Sequence, residues 1–186
     1  MTYGCVNAGE DTLVIIDDSI VRGTTLRQSI LRILDRLGPK RIIVVSSSPQ
    51  VRFPDYYGID LPKLEELAAF RACIDLLRES GRQSLIDGVY ADCKANLDLP
   101  ADRQVNAAKE LYAPFTDDEI ARRMADMLTP PEINAKVDIL FQSLENLRLP
   151  MSSHFFRVLG NHLWTMDNVH YKFIHFFPPY PGFISL

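Results

Sequence analysis

Two runs of the chain, TLVIID (Thr12–Asp17) and RIIVVSSS (Arg41–Ser48), each hold four apolar residues in a row. Continuous runs rich in β-branched residues suit strands buried on both faces, as in parallel sheets. Between them, Leu26, Ile30, Ile33, Leu34 and Leu37 recur at helical spacing. This stripe predicts an amphipathic helix from about Thr24. Thr24 or Thr25 supplies its N-cap, and Gly38-Pro39 its end. Strand, helix and strand in so short a stretch form a βαβ unit, which predicts a parallel sheet and a right-handed crossover.

The pattern then loosens. PQVRFPDYYGIDLP, with prolines at 49, 54 and 62, reads as a long loop. Helices are predicted over about 63–79 and 82–96, divided at Gly81. Another is predicted over about 117–128, with Thr116 and Glu119 spaced as a capping box. KVDILFQSLENL reads as a strand running into a short helix. From Leu149 the character changes. The tail is rich in His, Phe and Pro, has no glutamate and only Asp167 as an aspartate, and shows neither a helical nor an alternating period. It fits a packed appendage, an interaction segment or non-native sequence alike. The expected organisation is a lead-in over 1–11, an α/β domain over 12–148 and an atypical tail over 149–186.

Composition adds bounds. The chain has 186 residues, 47% of them hydrophobic and 24% charged, with a formal net charge of -4. These values suit a globular protein and argue against bulk electrostatic binding to nucleic acid or to an anionic membrane. Apolar runs fall short of a membrane span. The cysteines, Cys5, Cys73 and Cys93, are odd in number and lack CxxC spacing. A disulfide framework or zinc knuckle is therefore not expected, and a cytoplasmic location fits best. Cys73 and Cys93 read as small buried hydrophobes. No two of His154, His162, His170 and His175 have the i,i+4 spacing of a helical metal pair.

The candidate chemistry lies in VIIDDSIVRGTT (Val14–Thr25). A loop at the carboxyl end of a parallel strand is the usual ligand crevice of an open α/β sheet. The helix start offers unpaired N–H groups and about half a positive charge. Gly23 permits close backbone approach, and Ser19, Thr24 and Thr25 add hydroxyls. Together they describe a phosphate cradle. Arg22 either assists or points into solvent. Asp17 and Asp18 need another role: they suit sugar hydroxyls or Mg²⁺. The two signs thus serve two parts of one ligand, a phosphorylated ribose. The bland alternative is a turn with a helix cap. Neither GxxxxGK[ST] nor GxGxxG is present.

At these residues the chain resembles the type I phosphoribosyltransferases, whose signature for 5-phosphoribosyl 1-diphosphate (PRPP) has this order. The longer form DDSIVRGTT, followed by VRFPDYYGID (Val51–Asp60), is similar to the glutamine-dependent amidotransferase branch of that family. YAPFTDDEI and LFQSLENL extend the likeness, so that it covers roughly Thr12 to Leu147. The resemblance implies an α/β fold, a partial phosphoribosyltransferase-type parallel sheet flanked by helices, with extra C-terminal helices. It implies PRPP binding by Asp17, Asp18, Ser19, Ile20, Val21, Arg22, Gly23, Thr24 and Thr25, with Asp17 and Asp18 also contributing to a Mg²⁺ site. The implied reaction transfers ammonia from glutamine to PRPP, giving 5-phosphoribosylamine in de novo purine synthesis. Purine nucleotide inhibitors, and either a homo-oligomer or association with an upstream segment, are implied partners.

Departures from the family pattern shape these expectations. Cys5 lacks the free α-amine of an N-terminal glutaminase nucleophile, so glutamine hydrolysis is not expected from this chain. The upstream loops for pyrophosphate and for site closure are also expected to be missing. Asp55 stands where some members carry a cluster cysteine, so no iron–sulfur cluster is expected. Tyr57, Gly58 and Asp60 fit either a turn under the sheet or a wall of the site. A PRPP- or nucleotide-binding regulatory module and an inactive fragment remain the competing readings.

Overall fold

A computed structural model describes residues 6–54, 63–147 and 171–175. Four parallel strands form one sheet in the order β3-β2-β1-β4: β1 (Thr12–Asp17), β2 (Arg41–Ser46), β3 (Lys136–Phe141) and β4 (Tyr171–His175). The molecule is α/β, a partial phosphoribosyltransferase-type sheet flanked by helices.

Register explains how the apolar runs are used. Leu13 lies opposite Ile42, and Ile15 opposite Val44, which in turn faces Ile139. Successive strand residues point to opposite faces, so these side chains share one side of the sheet. There they join the main core with residues from every long helix. Val14, Ile43 and Val45 point the other way and form a second, smaller buried cluster. Double-sided burial is why both runs are continuous rather than alternating. Each such side chain contributes about 1.5–3 kcal/mol when fully buried.

The first helix differs from its prediction. It enters at Thr24 and makes a π-helical turn over Leu26–Ile30 before continuing as α1 (Leu31–Asp35). The Leu31 N–H donates to the Leu26 carbonyl five residues back. This wide turn brings Leu31 onto the core face below Leu26. Leu26, Leu31 and Leu34 are buried, whereas Ile30 and Leu37 only border the core. The helix ends as expected: Gly38 takes a φ of 71°, and its N–H donates to the Asp35 carbonyl. The Asp35 carboxylate accepts the N–H groups of Asn134 and Ala135, which ties this helix to the turn before β3.

The predicted 63–79 helix is split. Leu64–Glu66 make a 3₁₀ turn, Leu67 is extended, and α2 runs over Ala68–Glu79. Its buried stripe is mostly small: Ala68, Ala69, Ala72, Cys73 and Leu77. α3 (Gln83–Leu97) buries only Val89, and lies outside α2 and the 3₁₀ segment Ala107–Leu111. α4 (Asp117–Leu128) carries the predicted capping box and buries Ile120, Ala121, Met124, Ala125 and Leu128. The short α5 (Leu144–Leu147) follows β3. β4 comes from the tail, where no periodicity announced a strand. Among the described residues, no helix is long and apolar enough to cross a membrane.

Candidate functional site

The carboxyl edge of the sheet aligns Asp17 of β1 with Ser46 of β2 and Phe141 of β3. Strand parity puts Asp17 on the helix side, at the mouth of the β1–α1 connection. All nine predicted residues, Asp17 to Thr25, line one cleft of about 460 Å³, together with Leu26 and Ile30. Ile20 and Leu26 are buried and anchor the connection at both ends. Thr24 and Thr25 are exposed.

Hydrogen bonding shapes the acidic pair. The Asp18 N–H donates to Asp17 Oδ1 at 3.0 Å, and the Ser19 N–H to Asp18 Oδ1 at 2.6 Å. Each carboxylate keeps its second oxygen without a hydrogen-bond donor among the described residues. The Ser47 N–H donates to the Asp17 carbonyl at 2.9 Å, and the Ser47 hydroxyl to the Asp18 carbonyl at 3.1 Å. The residue just after β2 therefore holds the main chain of both acids. Burial pushes the Asp17 carboxyl above its usual range, and the adjacent Asp18 charge adds to the rise. An acid held in this way gains from a cation beside it.

The basic end of the loop is built from main chain. Among the described residues, the N–H groups of Gly23, Thr24, Thr25 and Leu26 find no acceptor, as at any helix start. Neither threonine caps the helix, contrary to expectation. Thr25 already has helical φ and ψ (-63°, -42°), and its side chain makes no cap hydrogen bond. A capping residue needs extended backbone to fold its oxygen back onto the first turn.

Gly23 has a reason for being glycine besides the one expected. Its φ is 71°, and a Cβ there would lie 2.5 Å from Cδ1 of Leu128. The close approach is thus to α4, within the protein. Arg22 is exposed on the cleft wall, and its guanidinium is paired: Nε donates to Oε2 of Glu66 at 2.8 Å. The Ala68 N–H at the start of α2 donates to the Val21 carbonyl at 2.8 Å. Glu66, Ala68 and Leu128 were not foreseen, because sequence separation hides them.

The discriminating segment Val51–Asp60 is described only to Pro54. Asp55, Tyr57, Gly58 and Asp60 lie outside the described residues, as do Cys5, His154, His162 and His170. The described part is an anchor. Gln50 donates to the Asp117 carbonyl at 2.7 Å, and Arg52 pairs with the Asp117 carboxylate. The Arg52 guanidinium lies 5.0 Å from the Tyr112 ring centre, and the Tyr112 hydroxyl donates to the Arg52 carbonyl at 2.9 Å. Phe53 meets the same ring edge-on at 5.6 Å. Cys73 is buried as expected, and Cys93 is half-buried.

Sheet, crevice and acid-then-amide loop together define an α/β fold with a polar cleft at the carboxyl edge of its parallel strands. Comparison with known proteins narrows the class: the chain resembles amidophosphoribosyltransferase over part of its length. It is 40% identical over 70 residues to the enzyme of Escherichia coli K12, covering 38% of this chain and 14% of that protein. It is 42% identical over 74 residues to that of Pyrococcus horikoshii, covering 39% and 16%. With the Staphylococcus epidermidis enzyme it shares 37% identity over 97 residues, covering 50% and 19%. The matched stretch is thus under a fifth of each relative's length. No protein-family profile matches the chain, and no solved structure does.

Proposed function

We propose that the chain binds PRPP in the Asp17–Thr25 cleft, as part of an amidophosphoribosyltransferase-type site. The observation that carries this reading is the juxtaposition in one cleft of two carboxylates, each with an open oxygen, and a run of main-chain donors without acceptors. The loop Ser19 to Thr25 wraps the 5′-phosphate, chiefly through the open N–H groups of Gly23, Thr24 and Thr25, and Asp17 and Asp18 take the ribose diol.

The open oxygens of Asp17 and Asp18 also fit Mg²⁺, a hard cation that binds few protein carboxylates and fills its shell with ligand oxygens and water. Among the described residues no cluster of three or more His, Cys, Asp or Glu side chains offers a metal cage. Such a shared site is therefore the kind these residues can make. When bound, the ion would supply charge neutralisation to the departing diphosphate. The chain's own work is to orient the ring through its phosphate and to set negative charge near the electron-poor anomeric carbon as ammonia displaces pyrophosphate.

Calorimetric titration of the full chain with PRPP, with and without Mg²⁺, tests the binding. Added ammonia and a pyrophosphate assay then test turnover. Binding with release supports an enzyme. Binding without release supports a PRPP-binding regulatory module. No heat at millimolar PRPP removes the reading.

A further inference from the structure

We infer that Glu66 sets the anion affinity of the phosphate loop by holding Arg22, and that a bound phosphate competes with Glu66 for this guanidinium. The inference rests on the anion site proposed above. Arg22 is the one cationic side chain among the residues lining the cleft. Its Nε donates to Oε2 of Glu66 at 2.8 Å, and its Nη2 lies 2.7 Å from the same oxygen. A guanidinium prefers a two-oxygen partner and matches phosphate well. The present pairing therefore leaves part of its donor capacity unused.

Magnitudes favour exchange over a permanent lock. The two side chains are 43% and 36% exposed, and ion pairs of that kind are weak. A phosphate dianion carries more charge than one carboxylate and sits beside the helix start. The backbone of the loop does not depend on the pair. The Ala68 N–H holds the Val21 carbonyl at 2.8 Å, and Arg71 approaches the Arg22 carbonyl at 3.5 Å. Glu66 is thus a positioning residue: it changes where the Arg22 head group is and leaves the path of the loop alone.

The test is a double-mutant cycle on the full chain, read by titration with ribose 5-phosphate at low and high salt. E66Q is expected to bind roughly two- to fivefold tighter than the unaltered chain at low salt, with a steeper loss of affinity as salt rises. The gain should vanish when Arg22→Gln is also present. Melting curves confirm that each variant is folded. Equal or weaker binding by E66Q, or the same gain without Arg22, overturns the inference while leaving the phosphate site standing. Absence of binding by the unaltered chain removes the phosphate site itself, and the role of Glu66 with it.

Discussion

Gly23 and Leu128 lie 105 positions apart in the chain, yet a single methyl on Gly23 would stand 2.5 Å from a Leu128 methyl. Leu128 is 1% exposed, at the end of the buried stripe of α4. The loop that lines the cleft is thus seated directly on the main core.

Gly23→Ala combines left-handed backbone strain with overpacking, and should lower stability by about 2 kcal/mol or more in urea unfolding. Leu128→Ala alone should cost about 2–5 kcal/mol by leaving a cavity. The double variant should lose clearly less than the sum, because the cavity receives the new methyl. Strict additivity would show that the two sites do not share this space.

Asp17→Asn should raise the melting temperature at neutral pH while weakening PRPP binding. Burial lifts the Asp17 carboxyl above its ordinary value of 3.8. The folded chain therefore holds that proton more tightly than the unfolded chain. Its stabilising contribution is complete below 3.8 and is lost as pH rises through the raised folded value. At pH 7 the ionised acid is a net cost, which the amide avoids. Melting curves at acidic and neutral pH check this: the variant's advantage should shrink as pH falls through the raised folded value and level off below 3.8.

Asp18→Asn should weaken PRPP binding more with Mg²⁺ present than without it, because the exposed Asp18 keeps an oxygen open for the ion. Titrations in the two conditions decide the matter. Equal loss in both would separate Asp18 from any metal role.

Thr116→Ala should cost about 1 kcal/mol through loss of the α4 capping box. The Thr116 hydroxyl accepts the Glu119 N–H, and the Glu119 carboxylate accepts the Thr116 N–H at 2.8 Å. That bond, with help from the Thr116 hydroxyl, holds the Glu119 carboxyl below its usual 4.5. Its contribution is present above 4.5 and is lost as pH falls through the lowered folded value. Alanine keeps the backbone N–H, so the gap in urea midpoint between Thr116→Ala and the unaltered chain should narrow in strong acid only by the part that the Thr116 hydroxyl contributes.

Cys73 should resist alkylation until the protein unfolds. It is 0% exposed, its thiol donates to the Leu111 carbonyl at 3.1 Å, and burial pushes its pKa to about 11. Peptide mapping after iodoacetamide treatment should find Cys73 modified in urea and untouched in buffer, with Cys93 reacting earlier.

Much of the framework was legible because it is local. Four apolar residues in a row, rich in β-branched side chains, suit strands covered on both sides, and β1 and β2 follow. Thr116 and Glu119 carry their cap in their spacing. The acids and amides of Asp17–Thr25 are consecutive, so one strand-to-helix connection is enough to gather all nine in one cleft. The π-turn was not legible, since Ile30 and Leu31 are both apolar and only packing chooses between them. Strand β4 was hidden because an edge strand needs a partner more than a pattern.

The sequence by itself determined a βαβ unit with two acids and a run of free amides at the carboxyl edge of its sheet, because hydrogen-bond periodicity and chain order need no distant contact. Only the tertiary structure decided what holds that edge in shape. Leu128 excludes a side chain at Gly23, Glu66 occupies Arg22, and Ser47 fastens the backbone of both acids. Each of these comes from a remote segment, and burial and ion pairing act through space, where sequence separation carries no information.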